Sequence, residues 1–169
     1  MADEIIAERV RELLKYDPET GIFTRKMRTA QRHKIGDRAD FLVTSGNSEG
    51  YCRVSFDSKR YLAHRVVWLY VHGSWPELDI DHINGNKSDN RLANLREVDR
   101  STNLQNQRRA RKDNVSGLLG VTTFIPNRKW RASVYINGKR IHIGMYESPE
   151  EAHQAYLVAK RQMHKGCTI

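Results

Sequence analysis

No run of residues in this 169-residue chain is apolar over the length that a membrane span needs. The first residues, Met1-Ala2-Asp3-Glu4-Ile5-Ile6, are acidic and lack the basic-then-apolar order of a secretory signal. These absences set the expectation of a chain that is not secreted, has no membrane partner and works in the cytoplasm. Cysteine is scarce. Cys52 and Cys167 stand far apart and cannot make a four-cysteine zinc site. A single disulfide would be out of place in an untargeted chain, so both are read as reduced thiols without a role. The apolar share is 38%, which allows modest cores but not one large one. The last part of the chain also has little acid. Residues 1–99 carry 16 basic and 16 acidic side chains, whereas residues 100–169 carry 13 basic and 4 acidic. The whole net charge of +9 therefore lies beyond residue 99. A basic half beside a neutral half suggests a polyanion, most often nucleic acid, with a solvated basic surface as the bland alternative.

What the chain has in excess is a run of acid, amide and imidazole side chains. It begins at Asp81-His82, passes through Ile83-Asn84-Gly85-Asn86, Asp89-Asn90-Arg91 and Asn94-Leu95-Arg96, and ends at Asn103. Core packing does not call for so many of these groups. Three suit a metal-assisted attack on phosphate: His82 as a base, with Asp81 and Asn103 as oxygen ligands for a hard divalent cation. The Asn84-Gly85 dipeptide favours a tight reversal after a short strand through Ile80. Leu92 to Val98 is the expected return strand. Asp99 or Ser101 can cap a following helix running to about Lys112, with Asn103 in its first turn. Arg108, Arg109, Arg111 and Lys112 would give that helix a basic end suited to phosphate.

This series resembles the His-Asn-His (HNH, ββα-metal) endonucleases, in the form where asparagines replace the later histidines. The segment from His64-Arg65 to Trp75-Pro76 also looks like phage and intron-borne members. The resemblance implies a phosphodiester hydrolase acting on double-stranded DNA, in a bacterial or phage-infected cell. It implies His82 as general base, Asn94 as the middle residue that orients His82 or braces the strands, and one Mg²⁺, or alternatively Mn²⁺, on Asp81 and Asn103. Some members carry a structural zinc on paired cysteines. This chain has no such pairs, so no structural zinc and no organic cofactor are expected.

Before the motif, the spacing of Ile6, Val10, Leu13 and Leu14 predicts an amphipathic helix over residues 3–16. Asp17-Pro18-Glu19-Thr20-Gly21 is a turn, and Ile22–Arg25 a short strand. The basic stretch from Arg25 to Arg38 is read as a solvated loop. Tyr51–Phe56 and Arg60–Ala63 alternate as a β-hairpin about Asp57-Ser58. His64–Val71 is a buried helix ending at His72-Gly73. His64 is a second imidazole near the motif and is read as packing locally.

The polar stretch 113–117 is the expected boundary between a nuclease domain, residues 1–112, and a second domain, residues 118–169. Three strands, over residues 119–124, 129–136 and 139–144, precede a helix begun by Ser148-Pro149-Glu150-Glu151. A turn at Pro126-Asn127 and a hairpin at Asn137-Gly138 would join the strands. Ala152, Ala155, Tyr156, Ala159 and Met163 form the apolar stripe of that helix. Ser116-Gly117, Gly120-Val121, Trp130-Arg131-Ala132, Gly144-Met145-Tyr146 and Glu150-Glu151-Ala152 resemble the APETALA-type (ethylene-response-factor) DNA-binding domain. Leu119 and Thr122 stand where many members have Arg, so sequence preference does not transfer.

The expected fold is thus α+β: a ββα-metal nuclease core with an N-terminal helix and β-hairpin, then a small three-stranded antiparallel sheet packed on one helix. The candidate DNA contacts are Arg96, Arg108, Arg109, Arg111, Lys129, Trp130, Arg131, Lys139 and Arg140. Trp130 is open to two readings, a core anchor beneath the helix or a groove contact. The alternative function is a DNA-binding regulator with a non-catalytic nuclease scaffold.

Overall fold

Apolar spacing starts the first helix, and strand alternation ends it. The computed structural model describes residues 6–107, 110–111, 113–124, 129–136, 138–164 and 167. Helix α1 (Ala7–Leu13) buries Ala7, Val10 and Leu13 on one face. It does not continue to residue 16 as the spacing predicts. From Leu14 the burial alternates, Leu14 and Tyr16 in and Lys15 out, and β1 (Leu14–Asp17) pairs antiparallel with β2 (Ile22–Arg25). Pairing gives these backbone groups partners that one more helical turn would have had to supply, while Tyr16 reaches the core. Residues 3–5 of the expected helix lie outside the described residues.

A three-stranded antiparallel sheet follows, β3 (Asp40–Leu42), β4 (Cys52–Phe56) and β5 (Lys59–Leu62), with β4 central. The β4–β5 reversal places Asp57 and Ser58 at φ 46 and 60. Two left-handed residues in succession match the right-handed twist of the flanking strands. Arg9 on α1 holds Asp57 through Nε and Nη2, at 3.0 and 3.1 Å. Helix α2 (Ala63–His72) runs directly from β5 and stops at Gly73, which takes the left-handed cap at φ 82. It buries Ala63, His64, Val66, Val67 and Leu69. Strands β6 (Asp79–His82) and β7 (Leu95–Val98) pair antiparallel, Asp81 opposite Arg96 and His82 opposite Leu95. Ile80 and Leu95 join Val10, Phe23, Val54 and Val66 in one core, so the strands that carry the acid-imidazole pair are anchored in it.

The chain divides into two compact units, Met1–Val98 and Asp99–Ile169. In the second, α3 (Arg100–Gln105) opens with Asp99 accepting from the Thr102 amide at 3.0 Å and the Thr102 hydroxyl at 2.7 Å. It ends at Gln105 and does not run to Lys112. The helix buries none of its residues, and a short helix without an apolar face gains too little to propagate. Arg111 therefore lies outside any helix. Arg108, Arg109, Lys112, the Pro126-Asn127 turn and Asn137 lie outside the described residues.

The 113–117 stretch lies within the second unit. There Asn114 Nδ2 donates to the Leu118 and Val121 carbonyls, and its Oδ1 accepts from Ser116. Strands β8 (Val121–Phe124), β9 (Lys129–Ile136) and β10 (Lys139–Tyr146) form an antiparallel sheet with β9 central. Helix α4 (Pro149–Met163) starts with Ser148 Oγ accepting from the Glu151 amide. Val121, Ala132, Val134, Ala152 and Tyr156 form the core between sheet and helix. Met163 is 44% exposed and drops out of the expected stripe. Lys160 instead is buried on α4, its Nζ donating to the Gln107 carbonyl and lying 5.7 Å from the Tyr156 ring centre. The whole is mixed α+β, built from small antiparallel sheets and, among the described residues, four α-helices. None of these helices is long and apolar enough to cross a membrane.

Candidate active site

Strand β6 delivers Asp81 and His82 side by side, and both are buried. The antiparallel register puts Arg96 opposite Asp81. Its Nε and Nη2 donate to Asp81 Oδ2 at 2.9 and 2.7 Å. Arg96, read from sequence as a DNA contact, thus binds the carboxylate beside the imidazole.

The His82 ring meets Asn90, His64 and Tyr51. Its Nε2 lies 3.2 Å from Asn90 Oδ1. The His64 ring meets it edge-on with centroids 5.1 Å apart, and the Tyr51 ring lies at 5.9 Å. Lys87 Nζ stands 4.6 Å over the centre of that tyrosine ring. Burial pushes the His82 pKa below its ordinary value, and the Asn90 bond and the Asp81 and Asp89 carboxylates only partly offset this. A histidine lowered from about 6.5 is mostly neutral at pH 7 and keeps a lone pair for a proton.

The amide-rich loop between the strands largely satisfies itself. Asn94 bridges it: its Oδ1 accepts from the Asn84 amide at 2.9 Å, and its Nδ2 donates to the Asp89 carbonyl at 2.8 Å. Its backbone carbonyl also accepts from Ile83 N. Asn84 Nδ2 donates to Asp89 Oδ2, and Asn86 Oδ1 accepts from Ser88. Arg91 pairs with Asp89 and holds that carboxyl well below the usual range, at about 2. Most of these side chains therefore brace the loop, as Asn and Asp do in turns.

Three contributors escaped the sequence reading because they act from a distance or through unassigned atoms. Asn90 is 1% exposed and is the partner of His82. Tyr16 on β1 donates its hydroxyl to the Asn90 carbonyl and accepts from the Leu92 amide, both at 2.9 Å. Gly21, in the β1–β2 turn, lies against the Asn90-Arg91 backbone. Asn90 stood in the motif with no role given to it. For Tyr16 and Gly21 no local pattern could have pointed to the loop. Tyr16→Phe keeps the ring but strips two inward-facing backbone groups of their partner. A loss of about 1–3 kcal/mol in unfolding free energy is expected, measured by urea denaturation. An unchanged midpoint and slope would rule out the bridge.

His64 is buried, and among the described contacts its Nδ1 has no hydrogen-bond partner. Burial first, then the His82 and Arg65 charges, push its pKa down to about 3. The unfolded chain takes up this proton near pH 6.5, whereas the folded chain does so only near 3. The contribution is thus fully present above the unfolded value and is lost as pH falls from there toward the folded one. His64→Phe should therefore lose less stability than wild type between pH 6.5 and about pH 4, the upper part of that window. Equal losses in denaturant titrations at the two pH values would refute this.

The donor set fits a hard, hydrated cation better than zinc. Asp81 offers carboxylate oxygen, and neither cysteine is in a disulfide. Among the described residues no three His, Cys, Asp or Glu side chains group around one point. An ion here would need amide, water or phosphate oxygens to complete its shell, as Mg²⁺ accepts. Asn103 lies on α3, in the second unit.

The other candidate contacts separate by sheet face. Lys129, Arg131 and Tyr135 share one face of β9, and Arg140 lies opposite Tyr135. Arg140 Nε donates to the Tyr135 hydroxyl at 2.8 Å, and Lys129 pairs with Glu147 at 2.7 Å. Lys139 lies opposite Ile136, on the helix side of the register. Trp130 alternates with Arg131 and packs against the core cluster, alongside Ile136 and Tyr146. Arg111 is exposed.

Residues 61–105 match the family model of the HNH endonucleases. The matched segment runs from β5 to the end of α3 and contains Asp81, His82, Asn94 and Asn103. The match supports a nuclease, a hydrolase of phosphodiester bonds. Comparison with curated proteins and with solved structures gives no match.

Proposed function

We propose that this chain is a metal-dependent DNA endonuclease of the phage homing type, with a ββα-metal core. The observation that carries the reading is the buried, largely neutral His82 beside Asp81 on β6, inside the segment that matches the HNH endonucleases. His82 takes a proton from water, and the resulting hydroxide attacks the scissile phosphorus. The bond from phosphorus to the 3′ oxygen breaks, leaving a 3′-hydroxyl and a 5′-phosphate. Asp81 and Asn103 are the oxygen ligands in this reading. A bound Mg²⁺ or Mn²⁺ supplies positive charge for the leaving oxygen. Asn94 holds the loop that carries Asn90 to His82. Arg131, Arg140 and Lys129, on one face of the second sheet, are the candidate phosphate contacts, with Arg111 beside them in role. The APETALA-type resemblance supports a duplex as the partner of that face.

The test is relaxation of supercoiled plasmid with Mg²⁺, and again after the protein has been stripped with chelator. Cutting is expected with the ion, and DNA binding without cutting in chelator. Full cleavage in excess chelator would remove the ion from the reading. Binding without cleavage under any ion would favour a DNA-binding regulator on a retired scaffold.

A further inference from the structure

The basic loop between β2 and β3 takes no part in the reaction as written, and it lies outside the segment that matches the HNH endonucleases. Residues 25–38 carry six Lys and Arg side chains against one acid, Asp37. The fold itself engages three of these cations. Arg25 is buried and donates from Nη1 to the Thr29 hydroxyl at 3.1 Å. Lys26 Nζ donates to the Arg11 carbonyl at 2.7 Å, and Arg38 pairs with buried Asp40 at 2.7 Å. The other three, Arg28, Arg32 and Lys34, line one cavity of about 350 Å³ with Gln31, His33 and Ile35. No carboxylate stands in that lining, and Asp37 Oδ2 accepts from the Lys34 amide at 2.9 Å. The described ion pairs give none of the three a partner. The loop is also braced from within. Arg25 N donates to the Asp37 carbonyl at 2.9 Å and Gly36 N to the Arg25 carbonyl at 2.8 Å, which closes its base. Arg28 Nη2 donates to the Gln31 carbonyl. His33 Nδ1 lies 2.9 Å from the Thr29 hydroxyl that Arg25 holds, which leaves Nε2 to serve a ligand.

We propose that this loop is a binding site for the backbone phosphates of duplex DNA, with Arg28, Arg32 and Lys34 as its cations and His33 as a further donor. Cations gathered around one cavity repel one another, and an anion among them turns that repulsion into attraction and charge-assisted hydrogen bonds. Ligand pockets span about 300–1,000 Å³ and are mostly apolar in lining. This one is at the small end and its lining is cationic, so it suits a phosphate and not an apolar molecule. Ile35, 72% exposed in the same lining, gives a deoxyribose an apolar side to meet, which a free phosphate ion does not use. His33 reports the local field. Burial first, then the Arg25 and Arg32 charges, hold its pKa below the ordinary value, and Asp37 only partly offsets them. A bound phosphate would move it up. The site gives the N-terminal unit a grip on DNA of its own, apart from the candidate contacts on β9 and β10. The inference rests on duplex DNA as the partner proposed above, but not on cleavage.

The experiment measures the affinity of the full-length protein for a short duplex against salt, in chelator so that no strand is cut. Arg32→Gln with Lys34→Gln should flatten the slope of log affinity against log salt by about two, one for each lost contact, and weaken binding about tenfold near 0.1 M salt. Both side chains are exposed, so melting should stay at the wild-type value. Lys59→Gln with Arg60→Gln removes the same charge from exposed positions on β5 and should leave the slope near wild type. In protein with ¹⁵N-labelled histidine, its His33 signal assigned by His33→Ala, the duplex should raise the His33 pKa. Inorganic phosphate alone is the second probe. If the loop variant melts lower than wild type, the wild-type His33 titration decides. An unchanged slope in the loop variant, equal flattening by the two double variants, or a His33 ring that answers to inorganic phosphate and not to duplex would each overturn the proposal. A flattened slope without Mg²⁺-dependent plasmid nicking by wild type would end the nuclease reading and leave this site standing.

Discussion

His82→Ala is expected to slow plasmid nicking by about 10²–10⁴-fold, the usual worth of a positioned general base, with DNA affinity and melting close to wild type. The ring meets Asn90 Oδ1 through Nε2 and packs edge-on against His64 and beside Tyr51. Its removal should therefore touch the reaction more than the fold. The pH profile supplies a second check. Because burial lowers the His82 pKa, the acid limb of the rate should lie below the ordinary histidine range, with the rate falling as pH drops through it. Wild-type nicking by purified His82→Ala would end the role proposed for this imidazole. An acid limb above neutrality would contradict the burial argument.

Gly21→Ala should unfold the N-terminal unit more readily than its position in a surface turn suggests. A Cβ at residue 21 would stand 2.5 Å from Arg91 N and 2.6 Å from the Asn90 carbonyl carbon. Both are backbone atoms, so no side-chain rotation relieves the clash. The residue also has φ +72, which costs an L-residue roughly 1–2 kcal/mol, and forced displacement of packed backbone adds about 1–3 more. Domains are stable by about 5–15 kcal/mol, so such a loss is large. What moves is the backbone that sets Asn90 against His82, so nicking should fall more than the folded fraction does. Denaturant titration and initial nicking rates on the same samples would check both. Wild-type stability would show that the turn and loop separate at no cost.

Local patterns made much of this fold readable. The apolar run from His64 to Val71 appears as α2, and the alternation around Asp57-Ser58 as the β4–β5 hairpin. Strand β9 occupies the span its alternation predicts. The adjacency of Asp81 and His82 located the segment that carries the family match. Where the sequence misled, a distant partner decided. Helix α1 stops early because Leu14–Asp17 finds β2, and β3 exists because Asp40–Leu42 finds β4. Asp40 is buried there, accepting from Phe23 N and Arg38, which nothing in its own neighbourhood announces. Arg96, read as a candidate DNA contact, also binds Asp81, since antiparallel register pairs residues that are far apart in the chain. Asn90 looked like one more turn amide and instead meets the His82 ring.

The Tyr16 hydroxyl bonds residues 74 and 76 positions further along the chain. During synthesis the ribosome makes the hydroxyl long before either of its partners. The hairpin of β1 and β2 can close while the loop that will carry Asn90 has not been translated. Until residue 92 has been added and has left the exit tunnel, the nascent chain cannot hold the bridge. The order of residues along the message thus delays assembly of the site until nearly all of the first unit has emerged.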